Sequence, residues 1–154
     1  MSTPIPLSTE VKHILGDHFV MLIAGSRDTT HNPGVLRGAR VAVQVAHEQG
    51  WALLCGDAWG VDREVINEAN KLRVPIAVFG ITPTPRNLGS KYGAYQQLPG
   101  LTYTQRDQYL ILLADRALFI WNGKPESRGT LEGYRYAQHM GVFSHCIQFD
   151  PEPK

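Results

Sequence analysis

The stretch Gly56-Asp57-Ala58-Trp59-Gly60-Val61-Asp62 brackets an acid and a tryptophan between two glycines, and a helix-period apolar stripe begins at Val61. Backbone amides at such a helix start point into whatever cleft the loop borders, and the positive end of the helix dipole favours an anion there by about 0.3–1 kcal/mol. Asp57 would repel a bare phosphate. Its carboxylate is suited instead to a ribose hydroxyl, an arginine or a metal ion. Asp62 falls in the first helical turn, where an acid stabilises a helix whatever else it does. Trp59 can stack on a base or simply pack against the end of a sheet.

Two further loops carry the same kind of chemistry. Gly25-Ser26-Arg27-Asp28 follows an apolar run, so the glycine permits close backbone approach while Arg27 offers a planar fork to a carboxylate or phosphate and Ser26 a hydroxyl. Lys124-Pro125-Glu126-Ser127-Arg128-Gly129-Thr130 leads into another helical pattern, and Ser127, Gly129 and Thr130 would leave amides and hydroxyls free to grip a phosphate, with Arg128 adding charge. Taken singly, the Gly25–Asp28 loop reads more readily as a turn with a solvated charge, and the Lys124–Thr130 loop as an ordinary capped helix start. Their weight lies in convergence on one edge of a sheet.

Other chemistries find no support. The histidines at 13, 18, 31, 47, 139 and 145 lack paired ligand spacing, and no lysine-bearing phosphate loop or three-glycine dinucleotide fingerprint is present. Cys55 and Cys146 stand far apart inside apolar runs and read as reduced, buried thiols. With 15 basic against 14 acidic residues the net charge is +1, which gives no long-range pull on nucleic acid or an anionic membrane. No apolar run approaches the roughly 20 residues of a membrane span. The opening Met1–Glu10 has two prolines and no basic residue before an apolar run, so the expectation is a cytoplasmic protein.

The elements that must position these loops follow from periodicity. Runs at 19–24, 51–55, 75–79, 117–121 and 142–149 are continuously apolar, as in strands covered on both faces. Between them, Val35/Ala39/Ala42/Ala46, Val61/Val65/Ala69/Leu72 and Leu131/Tyr134/Ala137 recur at helical spacing. A further helix is expected over Thr104–Asp115, and a short one over Thr9–Leu15 capped by Ser8 or Thr9. The prediction is an α/β protein: a Rossmann-like, open, mainly parallel five-stranded sheet with helices on both faces, binding its ligand outside the carboxyl ends of the strands. The 154 residues, 43% of them hydrophobic, suit a single domain over 1–154, with 1–8 and 150–154 as flexible ends.

Ala24-Gly25-Ser26-Arg27, Gly56 through Asp62, Arg106-Asp107 heading a helix, Ala114-Asp115 and Gly129-Thr130 occur in an order that resembles the SLOG superfamily of Rossmann-like nucleotide-binding domains, and within it the YspA-like small proteins. The resemblance runs across about Ile23 to Ile147. It implies a nucleotide or nucleotide-derived ligand, with its phosphate at Gly129 and Thr130 and Arg106 nearby. Relatives in that superfamily include ligand sensors, molybdenum-cofactor carriers and a DNA-processing protein. They also include the LOG phosphoribohydrolases, whose Gly-Gly-x-Gly-Thr-x-x-Glu motif supplies a catalytic glutamate. In this chain Gly133 takes that glutamate's place, and Glu132 is one residue early, a rotation of about 100 degrees on a helix.

The primary expectation is therefore a sensor or carrier that holds a phosphate-bearing nucleotide or derived cofactor through Gly25, Ser26, Arg27, Gly56, Asp57, Ala58, Trp59, Gly60, Asp62, Arg106, Ser127, Arg128, Gly129 and Thr130. The cofactor is left open, with magnesium accompanying the phosphate as one option. The alternative is a LOG-like hydrolase cleaving the N-glycosidic bond of a nucleoside monophosphate, with Glu132, Asp57 or Glu126 activating water and Arg106 orienting phosphate. A third reading is a scaffold whose glycine loops only make turns. Nucleic acid and membrane are disfavoured as partners, and the resemblance implies a homodimer or larger assembly using the segment around Ile111 to Leu113 or its neighbouring helices.

Overall fold

A computed structural model describes residues 5–87 and 92–153. In chain order the elements are α1 (Thr9–Leu15), β1 (Val20–Gly25), α2 (Pro33–Gln49), β2 (Ala52–Gly56), α3 (Val61–Leu72), β3 (Ile76–Gly80), β4 (Gly93–Gln97), α4 (Tyr103–Leu113), β5 (Arg116–Trp121), α5 (Arg128–His139) and β6 (Ser144–Gln148). The strands form one sheet in the order β4-β3-β2-β1-β5-β6, and every pairing is parallel. This is a Rossmann-like α/β fold.

Alternate residues of each strand feed two separate cores, which is why the strands are apolar without interruption. Met21, Ile23, Leu53, Cys55, Ile76 and Val78 pack under α2 and α3 through Val35, Ala39, Val43, Val61, Val65 and Ala69. Val20, Leu22, Ala52, Leu54, Ala77 and Phe79 face the opposite layer, where α1, α4 and α5 contribute Val11, Leu15, Leu110, Ile111 and Ala137.

The sheet has a sixth strand beyond the expected five. Gly93-Ala94-Tyr95-Gln96-Gln97 pairs with β3 from Ile76↔Gly93 to Gly80↔Gln97 at the sheet edge. Its composition is polar because only one of its sides is paired and most of its residues are half-buried. Gln96 is buried and spends its amide on the opening segment, accepting from Ser8 N and donating to Pro6 O, both at 2.9 Å.

Helix α4 starts one residue earlier than expected and stops at Leu113. Thr102 accepts from Gln105 N and Gln105 reaches back to Thr102 N, a capping box that fixes its start. Asp115 lies outside the helix and accepts from Val20 N at 2.8 Å. Cys55 is buried, whereas Cys146, expected to be buried too, is half-buried on edge strand β6. The segments at either end are bonded to the domain: Tyr109 Oη donates to Ile5 O at 2.8 Å, and Glu152 N to His31 O at 2.7 Å. Phe149 lies in a groove that Gly34 and Gly38 leave on α2, where added Cβ atoms would come within 3.0 and 2.8 Å of its ring. Among the described residues no helix is long and apolar enough to cross a membrane.

Candidate functional site

The chain builds the sheet outward from β1 through β2, β3 and β4, then returns to place β5 on the other side of β1. The loops after β1 and β5 therefore diverge, and a crevice opens at the carboxyl ends of those strands. Two glycines let the backbone come together there. A Cβ on Gly25 would lie 2.6 Å from both Ile120 O and Val61 Cγ2. Gly60 has φ +83° and would put a Cβ 2.5 Å from Ser26 O, the same carbonyl that accepts from Val61 N at 3.1 Å.

The cleft has a volume of about 270 Å³, close to the lower end of small-molecule sites. Gly25, Ser26 and Arg27 form one wall and Ser127, Gly129 and Thr130 another, with Gly56, Ala58, Asp62 and Arg106 between them. The structure thus brings together ten of the expected residues, nine from the three loops and Arg106 from α4. Glu126 also lines the cleft, as do Arg86, Tyr103 and Asp107.

The two helix starts at the cleft differ. In α3, Gly60 is the N-cap, Asp62 and Glu64 occupy the first turn, and the Asp62 carboxylate accepts from Ala58 N at 3.1 Å. In α5, Ser127 is the N-cap but makes no capping hydrogen bond, the first turn has no acid, and nothing lies within 4 Å of a Cβ placed on Gly129. The α5 start is therefore the one open to an anion. Ser127 Oγ instead donates to Ser26 Oγ at 3.0 Å, and Ser26 Oγ also accepts from Asn122 N at 3.0 Å, so two hydroxyls are held side by side across the switch point. Outside them Lys124 Nζ bonds Asp28 Oδ2 at 2.8 Å and holds the Asp28 carboxyl well below the usual carboxylate range.

Asp57 is fully buried, behind the cleft wall, and adopts the arginine option among those its sequence context offered. Its Oδ1 accepts from Arg86 Nε at 3.0 Å and from Arg106 Nη1 at 3.1 Å, while Oδ2 accepts from Arg86 N at 2.9 Å. Arg106 also donates to Phe79 O at 3.0 Å and to Asp107 Oδ1 at 2.8 Å. It lies flat over the end of β2 because Gly56 has no side chain: a Cβ there would be 2.7 Å from the guanidinium carbon. Tyr103 takes both guanidinium groups against its ring, Arg86 at 4.0 Å and Arg106 at 5.1 Å from the centroid. Burial raises the Asp107 carboxyl against the pull of Arg106. Burial likewise pushes Asp62 up to about 7.

Three expected residues point elsewhere. Trp59 is 53% exposed and carries Arg63 over its ring at 4.7 Å. Arg128 and Glu132 form a long, exposed pair at 3.9 Å on the outer side of α5. At Gly133 a Cβ would lie 2.9 Å from the Phe119 ring, so an aromatic edge fills the space beside the position of the LOG glutamate. Among the described residues no group of three or more His, Cys, Asp or Glu is placed to hold a metal ion.

Sequence reasoning missed Arg86, Asn87 and Tyr103. The first two lie in the Pro85-Arg86-Asn87 segment after β3, where Asn87 donates to Asp57 O and Ala58 O at 2.9 and 2.7 Å. An arginine and an asparagine directly after the closely spaced Pro83 and Pro85 were the available signal.

A Rossmann-like sheet with an anion-ready crevice at its switch point defines the class of fold. No family model matches the sequence, and no curated protein is significantly similar to it. Solved structures are similar in fold. A molybdenum cofactor binding protein from Rippkaea orientalis superposes with a TM-score of 0.70 at 18% identity, covering 88% of this chain and 79% of that one. Two structures of the molybdenum cofactor carrier protein of Chlamydomonas reinhardtii give TM-scores of 0.63 and 0.62 at 18% and 15% identity, covering 87% and 84% of this chain and 77% and 74% of those.

Proposed function

We propose that this protein is a sensor or carrier that binds a phosphate-bearing nucleotide or nucleotide-derived cofactor in the β1/β5 cleft. The observation that carries the reading is the start of α5, with free first-turn amides, no capping side chain, no acid and open space over Gly129, beside the Ser26–Ser127 hydroxyl pair. Arg27 reaches the same cleft from the β1 loop. The SLOG-like order of motifs supports it, and so does the fold shared with proteins described as binding or carrying molybdenum cofactor, which brings a pterin-type cofactor into the ligand class. Magnesium, where required, would arrive with the phosphate.

The test is a thermal-shift screen of AMP, GMP, ADP, ATP, ADP-ribose and cyclic AMP, each with and without magnesium. A ligand at 100 times its Kd adds about 2.7 kcal/mol, and each kcal/mol moves the melting point of a protein this size by roughly 2–4 °C. A selective shift is expected. A flat response to every phosphate-bearing ligand would overturn the nucleotide reading.

A homo-oligomer built on α4 belongs to the same proposal. Leu112 is 54% exposed on that helix while its neighbour Ile111 is fully buried, and light scattering of the 17.1 kDa chain decides the point.

A further inference from the structure

Three acids and two arginines crowd the floor of the cleft, and the ion pairs are shared unequally. Asp57 takes both Arg86 and Arg106, and Asp107 takes the Nε of Arg106. Asp62 forms no ion pair among the described residues. It has one backbone donor, Ala58 N, on Oδ2. Yet Asp62 is only 5% exposed, and it is one of the residues that line the cleft. An acid whose only service was to stabilise the start of α3 would do so equally well at the surface.

The charged groups around Asp62 come from every side of the site. Asp57 lies on its own loop, Arg106 and Asp107 on α4, Arg86 on the turn after β3, Arg27 on the β1 loop and Glu126 on the β5 loop, with the buried Cys55 thiol beneath. The favourable pull on an ionised Asp62 comes from Arg106, and Asp107 and Asp57 oppose it. Burial without a dedicated cation favours the neutral carboxyl. A neutral carboxyl has a proton to give, and Ala58 N already occupies an acceptor lone pair on Oδ2.

We infer that Asp62 contacts the ligand as a neutral carboxylic acid, donating a hydrogen bond to an acceptor atom of the bound anion, so that ligand and proton are held together. The inference rests on the phosphate-binding reading of the cleft and adds to it a specificity-determining residue. The ligand presents an acceptor where Asp62 lies. No bond is made or broken: the proton stays on the carboxyl and bridges to the ligand.

Ligand-free and ligand-bound measurements test it together. In urea unfolding at pH 5, 6, 7 and 8, Asp62→Asn is expected to gain on the wild type as pH rises, because the wild type must ionise a buried group and the amide does not. The Asp62 Cγ resonance of the wild-type protein is expected to titrate near neutrality, which keeps the question answerable should the variant fail to fold. Binding of AMP and ADP-ribose, by calorimetry at pH 6 and pH 8, is expected to weaken about tenfold more in the wild type than in Asp62→Asn, the ratio set by a carboxyl titrating near 7. The phosphate of AMP titrates alike in both proteins, so the comparison cancels it. At pH 6 Asp62→Asn, which keeps an acceptor for Ala58 N and a donor for the ligand, is expected to retain binding, whereas Asp62→Leu, which can donate nothing, is expected to bind more weakly than wild type. A titration below pH 4.5, or a variant whose stability deficit grows with pH, would make Asp62 an ionised structural acid and overturn the inference. Parallel pH profiles with binding intact would overturn it alone, and failure of every phosphate-bearing ligand of the screen to bind wild type at pH 6 would remove it with the binding reading on which it rests.

Discussion

The carboxylate of Asp57 and the guanidinium of Arg106 meet at 3.1 Å with side chains 0% and 5% exposed, and the pair joins the end of β2 to the start of α4. Because Arg86 closes on the same oxygen at 2.9 Å, one buried acid is shared by two arginines from two different segments. Removing the acid leaves both cations without it in a poorly hydrated place, a change that typically costs 3–5 kcal/mol. Asp57→Asn is accordingly expected to lose about that much in urea unfolding. A loss under about 1 kcal/mol would mean that water enters the floor of the cleft and solvates the arginines.

Arg106→Lys tests geometry at constant charge. A lysine has no planar fork with which to engage Asp57, Asp107 and Phe79 O at once, as Arg106 does. The expected outcome is lower stability and weaker ligand binding together, read by urea unfolding and calorimetry.

Gly129→Asp separates binding from folding. Nothing lies within 4 Å of a Cβ at this position, so the backbone accepts the side chain, while the carboxylate stands where the α5 amides would hold an anion. Melting is expected to stay within about 1 kcal/mol of wild type, because an acid in a first helical turn is intrinsically tolerated. The thermal shift produced by nucleotides should vanish.

Purified protein incubated with AMP or GMP is expected to leave the monophosphate intact on chromatography. Glu132 is exposed beside Arg128, and Gly133 lines the cleft but has no carboxylate, with the Phe119 ring where a side chain would begin. Installing Gly133→Glu should destabilise by about 1–3 kcal/mol through crowding of that ring and still release no base. Free adenine or guanine in the wild-type reaction would establish the hydrolase reading instead.

The Asp28–Lys124 pair predicts an acid-side effect. With its folded carboxyl held below the unfolded value, Asp28 contributes stability that is present above about pH 4 and lost as pH falls further. Both side chains are partly exposed, 48% and 28%, so the contribution is small, about 0–1 kcal/mol. Lys124→Met should flatten the acid limb of the stability profile and leave neutral pH nearly unchanged.

Much of this architecture is legible in the chain because a two-sided parallel sheet leaves a simple mark. Met21-Leu22-Ile23 and Ala52-Leu53-Leu54-Cys55 are apolar at every position, and each following glycine loop then has to lie at the carboxyl edge. β4 escapes that rule because an edge strand needs no continuous apolar run, and its Gly-Ala-Tyr-Gln-Gln resembles the loop around it. Side-chain direction is harder still. Asp57, Trp59 and Asp62 sit within six residues, yet the first faces inward to two arginines, the second outward to Arg63, and the third borders the cleft. The arginine that engages both oxygens of Asp57 comes from 29 residues away, a distance no local pattern encodes.

The pairing of β1 with β5, from Met21↔Arg116 to Gly25↔Ile120, also sets when the cleft can exist. Ser26 and Ser127 are 101 residues apart and Ser26 and Asn122 are 96, so each contact waits on closure of a very long loop. The half-sheet β1–β4 can assemble from nearer neighbours, but it has no α5 and no second wall. On the binding reading proposed above, ligand capture waits on this non-local step of folding. A nucleotide pulse during refolding would report the moment that β5 docks, making the binding site a clock for the completion of the fold.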